Sequence, residues 1–334
     1  MTVGVLFINT GTVDEPTVEA VAAYLREFLM DPAIIGAPRF IRTLIVNHII
    51  RNRPQRTVAN YQQFWTPEGS PFMIVSKEQA RLLEEALSGR FEGEVHVVLA
   101  MRYGNPSIRD GLRELYLRGC DELVLFPAYP QMVNVCTGTC FKRAHEVLGE
   151  MERECGWRPR VLEVPHFYQI ASYRRALAEQ VAAHWTYGSG SKLLVSYHST
   201  LMADIEAGDP YRDQAEETAC NLASDLAIPM EDVKVCYQSR FDSRKWLQPF
   251  TESMVLALAE QGVKDLAILC PIFVADNMET CLEIDRDLRK AFLGVAGEGA
   301  TFTYIPALND APGLIEACAD TICDVMGCDE QTRN

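Results

Sequence analysis

The sequence predicts an α/β protein made of two similar doubly wound domains, each a parallel sheet flanked by helices. Three observations carry that prediction. Short apolar runs alternate along the chain with segments whose apolar residues recur at helical spacing. The runs are continuously apolar, with no polar residue at every second position, which is the pattern of strands covered on both faces. The stretches "LRELYLRGCDELVLFPAYP" (112–130) and "LALAEQGVKDLAILCPIFV" (256–274) also share one order: helix, glycine stop, acidic turn, apolar strand, proline.

In chain order, the strand "VGVLFIN" opens the first half and the helix "TVEAVAAYLREFL" follows it. Next comes "APRFIRTLIVNHIIRNRPQR" (37–56), where several arginines surround apolar residues, as in a surface helix with a core face. The helix "SKEQARLLEEAL" then leads to the strand "VHVVLAMRY", and "SIRDGLRELYL" leads to "ELVLFPAYP". "CGWRPR" breaks the periodicity at Gly156 to Arg160, so the expected domains are 1–156 and 157–334. "RVLEVPHF" begins the second half, followed by "YRRALAEQVAAHW", "KLLVSYHS", a "GDPY" turn and the helix "RDQAEETACNLASDLA". "DVKVCYQSR", "TESMVLALAEQ", "DLAILCPIF", the acidic segment "ADNMETCLEIDRD" and "TFTYIPAL" complete the alternation.

Composition narrows the function. The 334 residues are 48% hydrophobic and 23% charged, as in an ordinary folded protein. A formal charge of −15 repels polyanions, so no nucleic-acid partner is expected. Nothing resembles a secretion signal or a bilayer-crossing run, and the eleven cysteines are odd in number and contain no C-x-x-C pair. A cytoplasmic protein with reduced thiols is expected. The sequence has no G-x-G-x-x-G after the first strand, no G-x-x-x-x-G-K-[ST] and no G-x-S-x-G, which argues against the usual nucleotide enzymes and the nucleophile elbow.

Ligands of doubly wound sheets bind at the carboxyl ends of strands. Those ends carry "NTGT", "MRYGNP", "YPQMVNVCTGT", "SYHS", "YQSRF" and "VADNMETCLEID". His198 ends a buried strand, and a neutral imidazole there can accept a proton or ligate a divalent metal. Read as a helix, the acidic segment stacks Glu279 and Glu283 on one side with Arg286 or Asp287 beyond, and Asp276 sits at the start. Such a row of hard oxygen donors suits a divalent cation, and it also describes a solvated acidic face. Trp246 beside Pro249 offers a flat apolar wall, and Arg240 or Arg244 a charge for an anion. Together these features suit a flat, apolar, anionic ligand, a metal donor set and a base.

The motifs "SYHS…GDPY", "YQSRF…WLQP", "PIFVADNMETCLEI" and "YIPALN", in that order, resemble the ferrochelatase family, whose members insert ferrous iron into a porphyrin. The likeness runs from "LFINTGTVDEPTVEAVAAYLREFL" through "GSPFMIVSKEQ", "MRYGNPSI" and "FPAYPQ" to Asn309, and looks closest to the Gram-negative bacterial form. It implies a chelatase-like fold with a porphyrin cleft, and the making of protohaem from protoporphyrin IX. Coproporphyrin III as substrate, or porphyrin or haem binding without turnover, are the alternatives. The family's histidine falls on His198 and its glutamate on Glu279, implying the catalytic pair. His198, Glu279 and Glu283 are the implied contacts for iron, and no cofactor is required for turnover.

Residue by residue, the resemblance puts Trp246 beside the macrocycle and Thr10 against it. Arg102 and Tyr103 would line the cleft and meet a propionate, with Arg26, Gln131 and Phe273 as further substrate contacts. Residues 37–56 would form a lip over the cleft that touches the inner membrane peripherally. Some members hold a [2Fe-2S] cluster, for which Cys136, Cys318, Cys323 and Cys328 are the candidate ligands here, though small apolar residues of a terminal helix are the commoner explanation. Leu201 stands where the family has proline, Asn277 where members carry histidine or cysteine, and Val133 and Val135 where hydroxyls are frequent.

Overall fold

The computed structural model describes residues 2–91, 93–240 and 242–328. The chain forms two compact units. The first comprises Met1–Ala128, Val135–Pro165 and Thr321–Asn334; the second comprises Tyr129–Asn134 and His166–Asp320.

The first unit holds β1 (Thr2–Asn9), β2 (Glu94–Met101), β3 (Glu122–Pro127) and β4 (Arg160–Glu163), all parallel, in the order β2-β1-β3-β4. The second holds β5 (Lys192–His198), β6 (Val233–Gln238), β7 (Asp265–Leu269) and β8 (Thr301–Ile305), in the corresponding order β6-β5-β7-β8. The two sheets therefore share one topology, the doubly wound architecture expected from the alternation. β4 pairs with β3, so the strand "RVLE" belongs to the first sheet and the chain leaves that unit after Pro165, later than the Gly156–Arg160 interruption.

Helices α1 (Val18–Leu29), α2 (Arg39–Asn52), α3 (Pro54–Phe64), α4 (Pro71–Leu87), α5 (Ile108–Leu117) and α6 (Thr139–Cys155) lie in the first unit. α1 begins where Thr17 accepts from Ala20 N, and α5 begins with a reciprocal Ser107–Asp110 capping box. The basic segment read as one helix is two. Pro54 supplies no N–H and fits the first turn of a new helix, so α2 ends and α3 starts at Arg53. Only Val46 of α2 is buried, while Phe40 and Leu44 stay 70% and 68% exposed.

The second unit has α7 (Ala171–His184), α8 (Met202–Glu206), α9 (Tyr211–Asp225), α10 (Thr251–Glu260) and α11 (Arg289–Ala296), and α12 (Pro312–Met326) runs from it into the last part of the first unit. Its core gathers Leu194, Cys236, Val255, Ile268, Phe292 and Phe302, the inward faces of strands and of α10 and α11. Glu279–Leu288 is a π-helical stretch rather than the α-helix its spacing suggests. Its hydrogen bonds reach five residues along the chain, a form concentrated at functional positions. No helix among the described residues is long and apolar enough to cross a membrane.

Candidate active site

In each sheet the strand order reverses beside the first strand, between β1 and β3 and again between β5 and β7, and ligand crevices form at such reversals. β5 ends on His198, so the sheet itself delivers an imidazole to that place in the second unit. Its Nδ1 lies 2.8 Å from the Ser199 carbonyl oxygen, which can only accept; Nδ1 therefore carries the proton and Nε2 the basic lone pair. Tyr211 donates to the His198 carbonyl at 3.0 Å and further fixes the strand end.

Glu279 reaches the neighbouring strand end. Its Oε1 accepts from Gln238 Nε2 and from Ser239 Oγ, each at 2.6 Å. Gln238 is the register partner of His198, so the carboxylate is tied to the residue opposite the imidazole. Ser239 holds a φ of 63°, the left-handed region that a side chain rarely adopts. Below the site, burial pushes the Cys270 thiol well up, and the Glu279 charge adds to the shift. Asn277 Oδ1 accepts from Glu279 N at 2.9 Å and Thr280 N at 3.1 Å, so this side chain caps the π-helical stretch.

The acidic row is less uniform than its spacing suggests. Asp276 accepts from Asn309 Nδ2 at 2.8 Å, Ala307 N at 3.2 Å and Thr280 Oγ1 at 3.2 Å, with Tyr304 OH as a further donor; it is a structural node. Arg286 engages Asp287, Arg289 engages Asp285, and Glu283 is exposed. Among the described residues no three His, Cys, Asp or Glu side chains gather as a metal-holding set.

Trp246 lies on the segment bracketing the loop after His198. Leu201 bridges to Trp246, with Met202 N donating to Lys245 O at 3.0 Å and Leu247 N to Thr200 O at 2.9 Å. The indole is 6% exposed, and its Nε1 donates to Asp242 Oδ1 at 3.0 Å. Burial opposes ionisation of Asp242, but the Arg244 backbone N–H, the indole N–H and the Arg244 guanidinium outweigh it and hold the carboxyl below its usual range. Leu201 has φ −71°, the angle a proline would impose.

Gln131 is 0% exposed, and its Nε2 donates to Thr218 Oγ1 at 3.0 Å, because Tyr129–Asn134 belongs to the second unit. Phe273 follows β7, packs against the core and lines a small apolar hollow with Tyr173, Leu269, Ile305 and Leu308.

The first unit's candidates cluster at the ends of β1 and β2. Tyr103 N donates to Thr10 O at 2.9 Å and Arg102 N to Asn9 O at 2.8 Å, with Gly11 at φ 106° making the close approach. The Arg102 guanidinium pairs with Asp31 and lies 4.3 Å over the Tyr103 ring. Tyr103 is 3% exposed and donates to Asp31 at 3.1 Å; burial, opposed by Arg102, pushes its hydroxyl up. Arg26 is exposed and donates to Asn47 Oδ1 on α2 at 2.9 Å. Asp31 lies 71 residues before Arg102, too far for any local pattern to link them.

Of the candidate cluster cysteines, Cys318 and Cys323 are buried on α12, five positions apart and so on different faces of an α-helix, and burial pushes the Cys318 thiol up.

A family model described as Ferrochelatase matches residues 2–326. The ferrochelatase of Thioalkalivibrio sulfidiphilus is 42% identical over 321 residues, covering 96% of this chain and 85% of that one. The ferrochelatase of Bordetella pertussis is 40% identical over 324 residues, covering 96% and 87%. Among solved structures, SirB from Bacillus subtilis with Fe3+ aligns with a TM-score of 0.54 at 10% identity over 97% of this chain and 96% of that one. The sirohydrochlorin chelatase SirB from Bacillus subtilis subspecies spizizenii, in complex with cobalt, gives 0.53 at 9% identity, covering 99% and 98%. At such identities the structural likeness speaks for the fold alone.

Proposed function

The chain belongs to the ferrochelatase family, and from that premise we propose that it inserts ferrous iron into protoporphyrin IX to make protohaem. One observation supports the assignment of the reacting groups: Gln238 is both the register partner of His198 and the donor to Glu279, so the carboxylate is tied to the strand end next to the one that carries the imidazole.

Iron is a substrate here, and two pyrrole protons must leave as it enters. A planar porphyrin hides its nitrogen lone pairs in the ring plane. A wall such as Trp246 that favours a bent macrocycle tips them outward, with binding of the rest of the ring offsetting the strain. His198 Nε2 takes pyrrole protons in turn. The same neutral imidazole nitrogen is the one that would ligate the incoming iron. Glu279, held as an acceptor by two donors, receives protons from that exchange or guides the cation inward. No step needs an iron-sulfur cluster.

The membrane reading draws support from α2, where Phe40, Ile41, Leu44 and Ile45 are exposed beside Arg39, Arg51 and Arg53. An apolar face rimmed by arginines suits the headgroup boundary of an anionic bilayer, the source of a poorly soluble porphyrin.

The test is anaerobic incubation of purified protein with ferrous iron and protoporphyrin, following the metalloporphyrin spectrum. The proposal expects turnover that His198→Ala abolishes. Wild-type signal no greater than that of His198→Ala refutes it, and competition between protoporphyrin and coproporphyrin for limiting enzyme tests the substrate.

A further inference from the structure

We infer that Gln238 is a positioning residue for the proposed iron insertion: its amide, locked in one orientation by a buried pair of hydroxyls, holds the Glu279 carboxylate at a set place beside the His198 strand. The inference rests on the function proposed above and identifies what holds that site.

The direction of each hydrogen bond follows from chemistry. Gln238 is 6% exposed, and Ser196 and Thr251 are buried with it. Gln238 Oε1 accepts from Ser196 Oγ at 2.6 Å and from Cys270 Sγ at 3.5 Å. Ser196 has one proton and gives it to that carbonyl, so the 2.7 Å contact between Ser196 and Thr251 has Thr251 as donor. Gln238 Nε2 then donates to Glu279 Oε1. Turning the amide over would set its oxygen against a carboxylate oxygen at the same 2.6 Å, which repels strongly where water is scarce. The orientation is therefore set from both ends.

Two consequences bear on chemistry. Glu279 Oε1 meets two donors, Gln238 Nε2 and Ser239 Oγ, which fixes the carboxylate rotamer; the left-handed backbone at Ser239 aims the second donor. Ser196 lies two residues before His198 on the same strand and hence on the same face of the sheet. One strand thus carries the imidazole and the hydroxyl that orients the amide, so carboxylate and imidazole keep their spacing together. Preorganisation of this kind affects turnover more than substrate affinity.

The experiment measures single-turnover iron insertion and steady-state kcat and KM for Gln238→Met, Ser196→Ala, Glu279→Gln and the double variant Gln238→Met/Glu279→Gln. Gln238→Met keeps the bulk and removes the amide. It is expected to lower kcat roughly 10-fold or more, as loss of an orienting partner does elsewhere, with the porphyrin KM nearly unchanged. Once Glu279 is replaced, the same change should cost little more, since its effect passes through that carboxylate. Wild-type kcat in Gln238→Met overturns the inference, as does an equal proportional loss in both backgrounds, which marks a merely structural role. Should Gln238→Met fail to fold, Ser196→Ala in the same two backgrounds decides by the same criterion. A wild type without iron insertion refutes the proposed function itself; an active wild type with an unaffected Gln238→Met refutes this inference alone.

Discussion

Replacing Gly11 by alanine tests the join that presents Thr10. A Cβ at Gly11 would lie 1.8 Å from the Tyr103 carbonyl oxygen and 2.9 Å from its carbon, and neither atom belongs to a side chain that could swing away. Restoring ordinary contact requires the two backbones to part by roughly 1.5 Å. That separation breaks the bonds from Tyr103 N to Thr10 O and from Arg102 N to Asn9 O, each worth about 1 kcal/mol net. Holding alanine at φ 106° costs a further ~1–3 kcal/mol. The sum, about 3–5 kcal/mol, is a large share of ordinary domain stability. Urea unfolding followed by circular dichroism should show the midpoint falling accordingly, and the porphyrin KM should rise as Thr10 moves. A Gly11→Ala protein within about 1 kcal/mol of wild type would refute the close-approach argument.

Leu201→Pro should be tolerated within about 1 kcal/mol, because the backbone already has proline's φ and the bridging bonds belong to Met202 and Leu247; a larger loss in thermal unfolding contradicts this. Asp242 has a folded-state pKa below its unfolded value, so its contribution is full above the unfolded carboxylate value of about 3.9 and is lost as pH falls through the folded one. The stability gap between wild type and Asp242→Asn should therefore persist at neutral pH and close in strong acid; a pH-independent gap counts against the assignment. Phe40→Ser with Leu44→Ser should weaken co-sedimentation with anionic vesicles at least about 10-fold, since each buried side chain contributes roughly 1.5–3 kcal/mol, and equal binding would remove α2 from the membrane.

The strands were legible because a strand covered on both faces has to be apolar throughout, and "VGVLFIN" and "KLLVSYHS" leave no other use for such a run. The place of His198 at a strand end was legible, as was that of Glu279 at the start of a helical segment. Their connection was not: Gln238 is joined to His198 by register and to Glu279 by a side-chain bond across 41 residues, neither of which periodicity encodes. Aligning the carboxyl ends "SYHS" and "YQSR" as neighbouring strands would have paired them. Arg102 reads as an open charge until the fold brings Asp31 to it. The π-helical stretch has the spacing of an ordinary helix, and Pro54, taken for part of one segment, starts a second because its ring suits a first turn.

Tyr129–Asn134 has a consequence for biosynthesis. Gln131 bonds Thr218, Met132 N bonds Gln214 Oε1 at 2.7 Å and Asn134 N bonds Asp209 Oδ2 at 2.8 Å, all with residues translated long afterwards. The first unit in turn includes chain from Thr321 onward. The segments that complete each unit emerge far apart in time, so the nascent chain must stay folding-competent until the segment from Thr321 has been translated. Severing the gene after Pro165 would separate Gln131 from Thr218 and Asn134 from Asp209, and would yield two fragments with no independently finished fold.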